Sequence, residues 1–333
     1  MKKLVIIPML VALMVVLSAC GSKSNNNGNE GAPANSGNAA ATEQNGNAET
    51  TGNGNATAEN EPAAGTIAYQ SETGEVEVPA NPRRIVALTN GPNVISAGGT
   101  LVGVDEWTEK NPLFKDKLAG VEVVSPDDLE KIIELKPDLI IGSPDMKTLD
   151  KLKEIAPTVV YTWGKLDYLA QQLEIGKLLN KEKEAQAWID DFKKRSSELG
   201  SEVKAKIGDK ATVSVIETDS KSFYVFGNAW ARGTEILYQA MGLNMPDKVK
   251  QDALGPGYYT LSSEVLSQYA GDYVVLSRST AVDNAFMKTS VWTSIPAVKN
   301  KHVIEIDTEA STYSDPTTLD YLLDIFKKGF LGE

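Results

Sequence analysis

The stretch from Lys181 to Ile207, KEKEAQAWIDDFKKRSSELGSEVKAKI, constrains the fold of this chain more than any other. Its apolar residues are Ala185, Trp188, Ile189, Phe192, Leu199, Val203 and Ile207. Steps of three, four and seven put them on one stripe of an α-helix. The rest of the surface is Lys, Glu, Asp, Arg and Ser, so one face packs and a wide face is wet. At about 1.5 Å rise per residue the helix is roughly 40 Å long. Gly200 costs about 1 kcal/mol relative to alanine without breaking it. On both sides runs the same pattern of short apolar strand, loop and helix. The stretch therefore reads as one strut, residues 181–207, joining two α/β lobes, residues 66–180 and 208–333.

The chain opens with MKKLVIIPMLVALMVVLSAC. Lys2 and Lys3 form a charged head, Leu4 to Leu17 an apolar core, and small residues follow. That is the pattern of a signal peptide over residues 1–19, not of a retained membrane span. Leu17-Ser18-Ala19-Cys20 resembles the lipobox of bacterial lipoproteins, which implies that Cys20 becomes a diacylated N-terminus. Two acyl chains suffice for stable anchoring, at about 0.8 kcal/mol per buried CH₂. Cys20 is the single cysteine, so no disulfide or thiolate metal cluster forms within one molecule. Residues 20–65 are Asn, Gly, Ala, Ser, Thr and Glu with almost nothing large and apolar. Such a segment cannot offset its own conformational entropy and reads as a tether. A long polar tether suits a cell with one membrane and a thick wall, a Gram-positive cell.

Within the first lobe, Thr66–Tyr69 and Glu75–Val78 flank a Thr73-Gly74 turn and read as a hairpin. Short apolar runs follow at Arg84–Thr89, Leu101–Val104, Pro137–Gly142 and Pro157–Thr162, with helices between them. Ser125-Pro126-Asp127-Asp128 reads as a helix start, with Ser as N-cap and Pro in the first turn. In the second lobe the strands are Ala211–Glu217, Phe223–Phe226, Tyr273–Leu276 and His302–Ile306, and Asp315-Pro316 opens a last helix. One correspondence is sharper. Glu130-Lys-Ile-Ile-Glu-Leu-Lys-Pro-Asp138-Leu-Ile-Ile matches Glu264-Val-Leu-Ser-Gln-Tyr-Ala-Gly-Asp272-Tyr-Val-Val in glutamate, helix, turn, aspartate and strand. The recurrence implies two similar lobes. Alternating strands and helices imply mainly parallel sheets covered on both faces. The fold class is α/β, two Rossmann-like lobes joined by one helix.

In such sheets ligands bind beyond the carboxyl ends of the strands. The cleft candidates are then Asn90, Trp107, Met146, Tyr161 and Trp163 from the first lobe. From the second they are Tyr224, Trp230, Arg232, Arg278 and Tyr313. Aromatics dominate, with two arginines. Lys147 and Lys165 are further bases whose direction the sequence leaves open.

These stretches resemble the iron-siderophore substrate-binding lipoproteins of bacterial ABC importers, two Rossmann-like lobes on one long helix. The matching segments are NPRRIVAL, LVGVDEW, LEKIIELKPDLIIGS, the strut, FYVFGNAWARGTEILYQAMGL, SSEVLSQYAGDYVVLS and TYSDPTTLD. FGNAWARGTEILY looks closest to the ferric-hydroxamate binders. The resemblance implies ligand contact by Trp230 and Arg232, with Tyr224 a further contacting aromatic. The tail of those binders carries extra aromatics where this chain has Ser311 and Thr312, which leaves Tyr313 as the tail's contribution. It also implies that Glu130 and Glu264 dock on arginines of a permease dimer served by its own ATPase. The bland reading of each is an acid in the first turn of a helix, worth about 0.3–1 kcal/mol through the dipole.

The residues agree with a ferric hydroxamate, or a mixed citrate-hydroxamate, as ligand. Arg232 offers a fork of donors that is always charged. Trp and Tyr bury large area with little entropy lost. A tris-catecholate carries several negative charges and would want several converging bases. A catecholate, haem or a corrinoid is the alternative ligand, with a tyrosine or Met287 as a haem ligand. A cleft enzyme, or an adhesin or scaffold, is a remote one. The net charge of −12 argues against nucleic acid. The one histidine, His302, stands at a strand start and reads as a surface residue, so a bare zinc or manganese carrier is disfavoured. No GxxxxGK[ST], GxSxG or CxxC motif occurs. The expectation is a monomeric, extracytoplasmic, lipid-anchored receptor without a cofactor or direct metal ligands. It catalyses nothing, and its stiff strut allows only a small closure.

Overall fold

The structure, a computed structural model, describes residues 65–219 and 222–332. Cys20, the expected signal peptide and nearly all of the expected tether lie outside the described residues. No helix among the described residues is long and apolar enough to cross a membrane.

An antiparallel hairpin comes first, β1 (Thr66–Ser71) and β2 (Gly74–Pro79), paired from Thr66 with Pro79 to Ser71 with Gly74. Gly74 takes φ 118°, a value side chains with a Cβ rarely adopt. The next five strands are β3 (Ile85–Ala87), β4 (Leu101–Val104), β5 (Glu122–Val123), β6 (Leu139–Gly142) and β7 (Thr158–Val160). They form one sheet in the order β5-β4-β3-β6-β7, parallel throughout. Its helices are α1 (Gly91–Ser96), α2 (Glu106–Lys110), α3 (Leu129–Leu135), α4 (Leu149–Ile155) and α5 (Tyr168–Leu178). The sheet is covered on both faces, so β6 is apolar at successive positions. Leu139 and Ile141 enter one core with Ile85 and Val159, and Ile140 enters another with Val86 and Leu152.

The strut is α6, Glu182–Ile207, 26 residues. Five strands follow: β8 (Val213–Thr218), β9 (Phe223–Phe226), β10 (Tyr258–Leu261), β11 (Tyr273–Arg278) and β12 (Val303–Asp307). Their order, β10-β9-β8-β11-β12, repeats that of the first sheet. The helices here are α7 (Asp247–Ala253), α8 (Leu266–Tyr269), α9 (Ser290–Ser294), α10 (Pro296–Lys299) and α11 (Pro316–Leu331), with a π-helical turn over Glu235–Ala240. The expected parallel order holds for β8, β11 and β12, but β9 runs antiparallel to β8 and β10. A parallel partner needs a crossover of about a dozen residues. Thr218 and Phe223 are too close in sequence for that, and the chain doubles back.

The repeated aspartate has the same structural work in both halves. Asp138 accepts from the backbone N–H groups of Arg83 and Arg84 at 2.7 and 2.9 Å, just before β3. Asp272 accepts from Thr212 N–H and hydroxyl at 2.8 and 2.9 Å, just before β8. Each pins the first strand of its sheet to the neighbouring one. The first glutamate-bearing helix begins later than Ser125. Asp128 is its N-cap, and Ser125 instead donates to Asp128 through N–H and hydroxyl at 2.7 and 2.8 Å, closing a turn.

The strut packs unequally. Its first turn meets the first half at Gly176, where a Cβ would lie 2.5 Å from that of Ala185. Phe192, Leu199 and Val203 enter the core of the second half with Val213, Val275 and Phe326. Trp188 Nε1 and Arg195 Nη2 both donate to Asp320 on α11, at 3.0 and 2.8 Å. Gly200 has a reason beyond propensity: a Cβ there would lie 2.4 Å from the Met241 carbonyl oxygen.

Candidate functional site

The segments after β3, β4 and β7 meet the second half across a cleft. Two polar contacts close its floor. Ser96 Oγ, at the end of α1, donates to Asp315 Oδ2 at 2.7 Å. Tyr313 OH donates to Asp105 Oδ1 at 3.4 Å and lies 3.2 Å from Thr108 Oγ1. Burial and Asp105 push the Tyr313 phenol up from its ordinary value. Tyr313 was expected to line the ligand; here it bridges the halves.

Above that floor runs an aromatic band. Trp163, 73% exposed, meets Trp230 edge to face with ring centroids 4.8 Å apart. Trp230 lies 5.1 Å from Tyr258, and Tyr258 lies 6.3 Å from Tyr224. Tyr224 OH donates to Asp219 Oδ2 at 2.9 Å, and that bond raises its pKa. Trp107, 70% exposed, stands on α2 with the Lys110 ammonium 5.8 Å from its ring. Asn90 and Met146 are half-buried. Asn90 has φ 57° at the start of α1, and Met146 Sδ accepts from Ser143 N–H at 3.5 Å.

Trp230 and Arg232 are placed by a loop folded in a costly way. Ala231 and Arg232 both take left-handed φ values, 56° and 53°. Each costs an L-residue about 1–2 kcal/mol. Three successive amides offset this by donating: Trp230 N–H to Thr234 Oγ1 at 2.9 Å, Ala231 N–H to Glu235 Oε1 at 3.0 Å, and Arg232 N–H to the Ser311 carbonyl at 2.8 Å. Burial pushes the Glu235 carboxyl above the usual carboxylate range. The guanidinium of Arg232 donates through Nε to Glu217 Oε2 at 2.9 Å and through Nη2 to Oε1 at 3.2 Å. It lies over the Phe226 ring at 5.5 Å. Ser277 Oγ donates to the same carboxylate at 2.7 Å.

One expected cleft residue goes elsewhere, and two bases are ion-paired. Tyr161 is buried in the first core, its hydroxyl 2.8 Å from that of Tyr69, which donates to Glu174 Oε2 at 3.1 Å. Tyr161 continues the alternation of β7 and joins Val159 in the same core, whereas the chain has left the strand and turns at Trp163, which is exposed. Arg278 is held by Glu305 of β12 at 2.6 Å, and Lys165 by Glu72 at 3.2 Å. Lys147 is exposed, as are Glu130 and Glu264. Hydrogen bonds from Ser262, the backbone and Ser263 hold Glu264 below the ordinary glutamate value. His302 stacks on Tyr273 with centroids 4.2 Å apart.

The sequence reading missed Tyr258, Glu217 and Glu235. Tyr258 had a signal in Gly257, whose φ is 91° and where a Cβ would strike the Trp230 ring at 2.3 Å. The two acids had none, because each acts through a residue distant in sequence or through a backbone amide. Among the described residues no group of three or more His, Cys, Asp or Glu side chains is disposed to hold a metal ion. Two grooves lie away from the aromatic band. One, of about 480 Å³, runs between α5 and α6 past Tyr168 and Lys193. The other, of about 710 Å³, runs between α3 and α4 past Ile133 and Ile155.

Two matching α/β halves, a rigid helix between them and an aromatic cleft with a fixed arginine define a two-lobed solute-binding protein. The chain belongs to the periplasmic binding protein family, matched over residues 86–310. It is 34% identical over 320 residues to the iron(3+)-hydroxamate-binding protein FhuD of Bacillus subtilis (strain 168), covering 94% of this chain and 92% of that protein. Among solved structures it is similar to the FhuD protein from S. pseudintermedius, with TM-score 0.72 and 33% identity over 80% of this chain and 99% of that one. FhuD2 from Staphylococcus aureus with bound ferrioxamine B gives TM-score 0.71 at 33% identity, over 75% of this chain and 99% of that one.

Proposed function

We propose that this protein is an extracytoplasmic receptor for a ferric siderophore of hydroxamate or citrate-hydroxamate type, delivering it to an ABC permease for iron uptake. The observation that carries the reading is the band of Trp163, Trp230, Tyr258 and Tyr224 beside the ion-paired Arg232. Such a surface suits an apolar organic frame around iron-bound oxygens. The aromatics cover the frame with few rotors to freeze, and free N–H groups of Arg232 meet the oxygens. Relatives named for iron(3+)-hydroxamate binding and for bound ferrioxamine B support the same class. Trp107, Asn90 and Met146 complete the first half's side of the cleft, and the iron is carried as cargo within the siderophore.

In this reading residues 1–19 are removed, Cys20 is acylated, residues 20–65 tether the domain, and residues 66–180 and 208–333 are lobes on the 181–207 strut. Glu130 and Glu264, one on each half, orient the receptor on the permease dimer; exposed charges of this kind give on-rate and register more than affinity. The cleft binds and releases without turnover. The test is tryptophan fluorescence of residues 66–333 with a ferric hydroxamate, a ferric catecholate, haem and a corrinoid. Quenching by the hydroxamate, weakened at least about tenfold (about 1.4 kcal/mol) in Arg232→Ala and in Trp230→Ala, supports the proposal. Quenching by the catecholate, haem or the corrinoid instead replaces the ligand class.

A further inference from the structure

Arg232 does not present a bare positive charge to the cleft. Glu217, at the end of β8, holds it by two N–H···O bonds at 2.9 and 3.2 Å, with both side chains mostly buried. Glu217 is itself fixed by Ser277 Oγ at 2.7 Å, which in turn lies 2.9 Å from Thr308 Oγ1. An arginine has five N–H donors, and these contacts use two. The others remain as directed donors on a side chain whose charge is already compensated. Asp219 stands on Tyr224 and Asp105 on Tyr313, while Arg278 and Lys165 are each paired with a glutamate.

We propose that Glu217 is a specificity-determining positioning residue: by neutralising Arg232 it makes the cleft accept iron complexes with little or no negative charge and disfavour polyanionic ones. The inference rests on the ferric-siderophore reading and sharpens it. Three hydroxamate anions around iron(III) give a neutral centre, whose oxygens take N–H donors without needing a free cation. Catecholate complexes carry excess negative charge and meet at Arg232 a guanidinium already compensated by Glu217, and within the proposed class the more anionic citrate-hydroxamates are disfavoured relative to trihydroxamates for the same reason. Glu217 acts through Arg232, whose fork it also orients.

The experiment uses one iron centre at three charges: ferrioxamine B, cationic through its free amine, its neutral N-acetyl derivative and its anionic N-succinyl derivative. Affinities are measured by titration calorimetry on the wild type, Glu217→Gln and Glu217→Asp, with a thermal melt of each to verify folding. In the wild type the anionic form binds no more tightly than the cationic one. In Glu217→Gln the anionic-to-cationic affinity ratio rises at least tenfold: removing one charge about 10 Å from a ligand arm whose own charge differs by two units exceeds that at an effective dielectric constant of about 20, and solvent screening of the arm brings it down towards tenfold. In Glu217→Asp all three affinities fall and the ratio stays at its wild-type value. An equal loss for all three ligands in Glu217→Gln means a merely structural role and overturns the proposal. So does a wild type that prefers the anionic form tenfold, a result that needs no variant to fold. A wild type that binds none of the three overturns the ferric-hydroxamate reading and this inference with it.

Discussion

Tyr161 and Trp163 are two residues apart, and their environments separate stability from binding. Tyr161 is 6% exposed and its hydroxyl is bonded to Tyr69; Trp163 is 73% exposed and touches Trp230 across the cleft. Removing the Tyr161 hydroxyl leaves Tyr69 OH still donating to Glu174, so one buried hydrogen bond is lost, worth about 1 kcal/mol. Tyr161→Phe is therefore expected to lower the free energy of unfolding in urea by about that amount and to leave ligand affinity unchanged. Trp163→Ala removes an aromatic face from the cleft and nothing from the core. It is expected to weaken siderophore binding roughly tenfold, about 1.4 kcal/mol, with the urea midpoint unmoved. A Tyr161→Phe variant that binds poorly but melts normally would return Tyr161 to the cleft.

At the scale of elements, α6 carries a conflict between local preference and packing. Helix propensity alone favours Gly200→Ala by about 1 kcal/mol. The Met241 carbonyl 2.4 Å from the added Cβ opposes it, and overpacking of this kind costs about 1–3 kcal/mol. The obstacle is backbone and cannot rotate away, so Gly200→Ala is expected to be destabilising, by about 1–2 kcal/mol in urea denaturation. An unchanged or raised midpoint would show that the strut and the π-helical turn slide apart cheaply. The same element shows what can be read without coordinates. Its stripe from Ala185 to Ile207 announced a helix and its buried face, because a period of 3.6 is a local property. The Glu130–Asp138 and Glu264–Asp272 recurrence announced two like halves, and both aspartates hold their first strands by the same bonds. The reversal of β9 was legible in the five residues between Glu217 and Phe223, too few for a parallel crossover, but the alternation of strands and helices elsewhere led to a parallel expectation. The cleft was half legible. Trp230, Arg232, Trp163 and Tyr224, expected at the cleft, stand at strand ends or in a recognisable loop. Glu217 was hidden because its partner Arg232 comes from another element, Glu235 because it holds a backbone amide, that of Ala231, and Tyr161 was misplaced because alternation continues one residue past β7.

At the scale of the molecule, the two halves are held by the strut and by a few polar contacts at the cleft floor, which favours a small closure on ligand. The strut's anchoring on α11 through Asp320 ties it firmly to the second half. The first half also meets the strut through Tyr168 of α5, edge-on to Phe192 with centroids 6.3 Å apart, and meets the second half at the Ser96–Asp315 and Tyr313–Asp105 contacts. Asp315 is fully buried, and burial raises its pKa more than the hydrogen bonds from Thr318, Ser96 and Thr317 lower it. A carboxyl with a raised native pKa binds its proton in the folded state at pH values where the unfolded chain, near about 3.9, has lost it. Folding is then linked to proton uptake, and stability falls as pH rises. The contribution is fully present below the unfolded value and is lost as pH climbs through the native one. Asp315→Asn keeps the shape and does not titrate. The unfolding free energy of the wild type minus that of Asp315→Asn, from urea melts at a series of pH values, is expected to be flat below about pH 4. Above that it should decline and level off once Asp315 is ionised. A difference that grows over the same interval would mean that the helix N-terminus and Ser96 stabilise the carboxylate more than burial penalises it. The contact between the halves would then be an ionic one, strongest at neutral pH.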